Sequence, residues 1–84
     1  MNEIEQRYKG IKSAERLLVL IETLNHLKGA KVSELADATG FSRPAVYRLL
    51  NALDTFGYVR QQKSDDRFYL THLVRRLSDG FSEE

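Results

Sequence analysis

The sequence predicts a mainly α-helical domain with one small β-hairpin: a three-helix core, a two-stranded hairpin and a C-terminal helix. Three observations lead there. Apolar residues recur at three- and four-residue spacing in three successive segments, 13–28, 34–39 and 42–56, the pattern of helices that bury one face. Gly29, Gly40 and Gly57 each stand at the end of one of those segments, where a residue at positive φ closes a helix at little steric cost. Aromatic and branched residues then flank a polar turn, 63–66, and read as two short strands.

Taken in order, residues 1–12 show no clean periodicity and read as a flexible arm ending near Gly10. Its Arg7, Lys9 and Lys12 either touch phosphates or belong to a solvated tail. Ser13 is the expected cap of a first helix running to Lys28, with Leu17, Leu20 or Ile21, Leu24 and Leu27 on one face. Leu18 and Val19 widen that stripe, which implies central burial, with contact to a second subunit as the alternative. Ala30 to Val32 suits a short strand. Ser33 then caps a second helix, Glu34 to about Thr39, which Gly40 stops. Ser42 caps a third helix to about Phe56, with Arg43 first and Pro44 second, where proline is tolerated because first-turn amides have no intrahelical acceptor. Tyr58–Gln62 and Arg67–Leu70 form the hairpin, and Thr71–Phe81 carries Leu73, Val74 and Leu77 at helical spacing. The domain proper thus spans 13–71, and 72–84 reads as a C-terminal or linker helix with a frayed end.

The informative stretch is VSELADATGFSRPAVYRLLN, 32–51. Ala36 sits where two helices cross at about 8 to 10 Å and a larger side chain would push them apart. Gly40 occupies the tight turn, and Val46 points from the third helix into the core, continued by Leu49, Leu50 and Leu53. Together these are the constraints of a helix-turn-helix. The opposite face of the third helix carries Arg43, Pro44, Tyr47, Arg48 and Asn51 near its N-terminal half. In such motifs the second helix enters the DNA major groove and its first residues meet base edges. Arg43 and Arg48 each suit two-pronged bonding to guanine O6 and N7. Tyr47 or Ala45 suits a thymine methyl or a phosphate, and Ser42 with the free first-turn amides suits a phosphate. The hairpin adds Lys63, Ser64 and Arg67 near its tip, with Val59, Phe68 and Leu70 as its anchor. It reads as a wing reaching phosphates or a minor groove, against the plainer reading of a solvated turn.

Composition narrows the alternatives. The chain has 84 residues, enough for one core and not two, and a net charge of +1. A polyanion partner must therefore be met by local charge, and 42–51 supplies two arginines and no acid. There is no cysteine, hence no disulfide or thiolate site, which suits the cytoplasm. The longest apolar run, Leu17–Ile21, is far short of the roughly 20 residues that cross a bilayer, so no membrane role is expected. His26 and His72 lie in different predicted helices, so neither a metal nor another cofactor is expected. Asp65 and Asp66 are adjacent acids on a turn, no Ser-His-Asp set or phosphate-cradling glycine loop is present, and the chain reads as a non-enzyme.

From Lys12 to Phe81 the order of parts resembles the IclR family of bacterial transcriptional regulators, in their N-terminal winged helix-turn-helix DNA-binding domain. The likeness is carried by SAERLLVLIETL, by VSELADATGFSRPAVYRLLNALDTFGYV and by the wing stretch DDRFYLT. The resemblance implies a cytoplasmic repressor or activator that binds a palindromic double-stranded operator as a homodimer, with Arg43, Pro44, Ala45 and Arg48 near the bases. It also implies a larger effector-binding domain that this chain does not contain, the chain then being a piece of a longer protein. Two positions depart from the pattern: Pro44 stands where a hydroxyl residue is common, and Thr71 where glycine often follows the wing. The rival function is a winged helix that binds protein instead of DNA. Such a module would present an apolar or acidic recognition face, unlike the two arginines, tyrosine and asparagine here. RNA fits poorly, because a protruding helix cannot enter the narrow major groove of an A-form duplex.

Overall fold

The computed structural model describes residues 11–82. Three α-helices, α1 (Lys12–Leu27), α2 (Val32–Thr39) and α3 (Arg43–Thr55), precede strands β1 (Val59–Gln62) and β2 (Arg67–Leu70). A 3₁₀ helix, His72–Ser78, follows. Its order is that of a winged helix-turn-helix, as the sequence predicts.

The core is where the apolar periodicities meet. Leu20 and Leu24 of α1, Val32 and Leu35 of α2, and Val46, Leu50 and Leu53 of α3 are buried together with Ala30, Val59 and Phe68. Each fully buried leucine or valine contributes about 1.5–3 kcal/mol relative to exposure. Leu17, Ile21, Ala36, Phe41, Leu49, Tyr58 and Leu70 pack against this cluster from its edge. Leu18 and Val19, expected at the centre, are instead 56% and 42% exposed, and Leu27 is 41% exposed. The helical period explains the first two. Leu20, Leu24, Leu17 and Ile21 already fill a sector about 100° wide, which leaves Leu18 about 110° from its centre, on the flank, and Val19 about 150° away, nearly opposite the core.

Two helix starts differ from the sequence reading. The predicted arm lies outside the described residues except for Ile11, which caps α1, and Lys12, which opens it, so Ser13 is already inside the helix. Helix α2 begins at Val32 with Lys31 as its cap residue, so Ser33 lies in its first turn. Burial of Val32 draws that residue into the helix, and Glu34 reaches back to accept the Lys31 N–H at 2.9 Å. Ser42 does cap α3, accepting the Ala45 N–H at 3.2 Å. The turn between α2 and α3 is held by Gly40 at φ 79°, whose N–H donates to Ala36, and by the Thr39 hydroxyl. That hydroxyl donates to Leu35 O at 2.7 Å and accepts the Phe41 N–H at 3.1 Å.

β1 and β2 are antiparallel, pairing Val59 with Leu70 and Gln62 with Arg67. The short strand expected at 30–32 is a single bridge: Ala30 and Phe68 exchange N–H···O bonds of 3.0 and 2.8 Å, which ties the hairpin to the α1–α2 connection. That connection turns through Lys28 and Gly29, both at positive φ. A Cβ on Gly29 would stand inside the Tyr69 ring, so only glycine lets that ring lie across the connection. The C-terminal stretch winds as 3₁₀ and buries no residue, with Leu77 66% exposed. A segment this short gains no α-helical stability without a packed face. Thr71 holds its start, donating to Gly57 O at 2.6 Å and accepting the Leu73 N–H at 3.3 Å.

Candidate nucleic-acid interface

Packing of Val46, Leu50 and Leu53 inward fixes which side of α3 faces out. That side presents Arg43, Pro44, Tyr47, Arg48 and Asn51, all exposed, with Ala45 half-buried at its margin. Neither guanidinium has a hydrogen-bond or ion-pair partner among the described residues. Two cations held on one helix face without a counter-charge leave a local positive surface that the net charge of +1 conceals.

Beside this face runs an open cleft of about 350 Å³ lined by Lys31, Val32, Ser33, Arg43, Tyr47, Gln61 and Asp66. The start of α2, the start of α3 and the hairpin therefore converge on one surface. Lys31, Ser33 and Gln61 did not emerge from the sequence. Lys31 was legible in principle, standing immediately before a helix start and three residues ahead of an acid. On the other flank a groove joins Ser13 and Arg16 of α1 to Ala45, Arg48 and Leu49. Arg16 stacks on the Phe41 ring, its guanidinium carbon 5.8 Å from the ring centre, which holds a third cation next to Arg48. Nothing in the spacing of α1 marks Arg16, because its significance comes from packing against a residue 25 positions later.

The hairpin residues divide. Lys63 and Ser64 are exposed at the tip, Ser64 accepting the Gln62 amide N–H at 2.8 Å. Arg67, expected beside them, turns away from the tip and pairs with Glu34 of α2 at 2.9 Å. Asp65 also turns inward: it accepts the Arg67 N–H and the Tyr69 hydroxyl, both at 2.9 Å. These bonds set the titration of the group. Glu34 is held below the ordinary glutamate value by the Lys31 N–H and, after that, by Arg67. Asp65 is lowered chiefly by the Arg67 N–H, and Tyr69 is raised by its bond to Asp65. Asp66, at φ 60°, is the one acid lining the cleft.

The profile of the IclR helix-turn-helix domain matches residues 13–63, from the first helix to the wing tip. The chain belongs to the IclR helix-turn-helix family. An IclR helix-turn-helix domain is a DNA-binding regulatory domain and not a catalytic one, and DNA is its partner. The matched span contains α2, α3 and every residue lining the cleft between them except Asp66. Among the described residues no three His, Cys, Asp or Glu side chains gather as a metal site, and no helix is long and apolar enough to cross a membrane.

Proposed function

We propose that this IclR domain binds double-stranded DNA sequence-specifically, with α3 in the major groove and the wing on the backbone or minor groove. The observation that carries the reading is the unpaired, exposed row of Arg43, Tyr47, Arg48 and Asn51, braced from behind by buried Val46, Leu50 and Leu53. A rigid helix of 13 residues with that face fits a groove about 12 Å wide. Arg43 and Arg48 read guanine edges, Tyr47 and Ala45 meet thymine methyls or phosphates, and Pro44 and Asn51 complete the contact. Ser42 and the first-turn amides of α3 seat a phosphate, as Lys63 and Ser64 do from the wing.

The reading extends to a homodimer on a palindromic operator in the bacterial cytoplasm, acting as repressor or activator under an effector-binding domain elsewhere in the full-length protein. Exposed Leu18 and Val19 support a contact with a second subunit. Two α3 helices then lie about 34 Å apart on one face of the duplex. The test is selection of bound duplexes from a random pool, followed by footprinting of the winners. The expected result is a two-fold symmetric motif with guanines at fixed positions. Recovery of unrelated sequences would overturn the reading.

A further inference from the structure

One cation of the wing, Arg67, is engaged before any DNA arrives. Arg67 Nη1 lies 2.9 Å from Glu34 Oε1 and 3.5 Å from the carbonyl of Gly29. Glu34 in turn is fixed by the Lys31 N–H at 2.9 Å, and Asp65 fixes the backbone of Arg67 and the hydroxyl of Tyr69. Tyr69 lies across Gly29, where no Cβ could stand. The contacts form one continuous tie from the helix-turn-helix to the hairpin tip, and it runs through groups 33 residues apart in sequence. β1 and β2 alone are a two-stranded ribbon of four residues each, a unit that is marginal by itself in water. The Ala30 bridge fixes its middle, at Phe68, and toward the tip it is braced by the contacts of Arg67 with Glu34 and Gly29 and by the bonds of Asp65 to Arg67 and Tyr69.

We infer that Arg67 is a positioning residue and not a phosphate contact: with Glu34 it forms a strut that sets the angle of the wing against α3, so that Lys63 and Ser64 meet the duplex. This rests on the proposed wing contact with DNA. The two roles differ in sign and in salt dependence. An arginine on a phosphate releases counterions, and its loss lowers the salt slope by about one; a strut leaves the slope alone. An acid that merely repelled DNA would, when neutralised, tighten binding, whereas an acid that braces the wing would weaken it.

The experiment measures affinity for a selected duplex across a salt series for Arg67→Gln, Glu34→Gln, the double variant and Lys63→Ala, all in the 84-residue chain. Backbone ¹⁵N relaxation of 63–66 is recorded without DNA. Glu34→Gln keeps the acceptor for Lys31, so α2 keeps its start. The expected result is a loss of about two- to fivefold for each of the first two variants, the range of an exposed ion pair. The double variant should be no worse than either, slopes should stay unchanged, and 63–66 should become more mobile in all three. A lower slope for Arg67→Gln, or tighter binding by Glu34→Gln, overturns the strut. If Lys63→Ala changes neither affinity nor slope, the wing reading itself fails and takes the strut's role in DNA binding with it. Unchanged mobility at 63–66 would overturn the strut alone.

Discussion

Arg48 lies where three things coincide: the exposed side of α3, the groove shared with Arg16, and a span without acids. If it reads a base edge, Arg48→Ala costs about 1–3 kcal/mol and relaxes preference at one base pair. Titration against single-base variants of a bound duplex checks this, and an equal loss on every sequence would assign Arg48 to phosphate. Asp66 gives the opposite sign. It is the acid lining the cleft, and asparagine tolerates its φ of 60°, so Asp66→Asn should tighten binding to all duplexes alike without altering the fold. Weaker binding at unchanged thermal stability would show that Asp66 contributes favourably. The row Arg43, Tyr47, Arg48 and Asn51 was legible because one helical period decides both its spacing and its opposite, buried face. Arg67 was not. Its type and its place near a turn suggest a free cation, while its partner Glu34 is brought near only by the folded chain.

Among the described elements, the attachment of the hairpin and the start of α2 depend on pH through Glu34 and Asp65. Glu34 and Asp65 both titrate below their ordinary values, so the stability they contribute is present above the carboxylate range and lost as pH falls through the lowered folded values. Tyr69 is raised, so its contribution holds below the ordinary tyrosine value and is lost only as pH climbs through the higher folded one. The wing's attachment should therefore be constant from about pH 5 to 9 and loosen below about pH 4. NMR of the Arg67 and Lys31 amides through an acid titration checks this: both should shift together, and a midpoint above the ordinary carboxylate range would contradict it. Helix ends were legible where chemistry is local, as at Ser42, Gly40 and Gly57. Serine reads as the local cap at both earlier starts, yet α1 opens at Lys12 ahead of Ser13, and at α2 burial of Val32 and the reach of Glu34 decide the start. Replacing Ser42 by alanine should cost about 1 kcal/mol of stability by denaturant unfolding. No change would mean that Ser42 serves α3 little in the free protein.

At the scale of the molecule, three helices and a hairpin bury one small core, and the proposed recognition depends on that core through the orientation of α3 and the seat of the wing. Leu50, fully buried, is the keystone residue: Leu50→Ala should destabilise by about 2–5 kcal/mol. The class and order of elements were legible because each periodicity is strong, whereas the outward placement of Leu18 and Val19 required knowing which sector of α1 the other elements cover. Their exposure leaves α1 with an apolar outer stripe that the homodimer proposal uses. The central claim is that a rigid helix reads bases. Its most direct test is the affinity of the 84-residue chain for a selected duplex against unrelated duplexes at one salt concentration. Two bidentate arginines give about 2 kcal/mol of discrimination at the low end, so the expected preference is about thirtyfold or more. Equal binding to every duplex would contradict it.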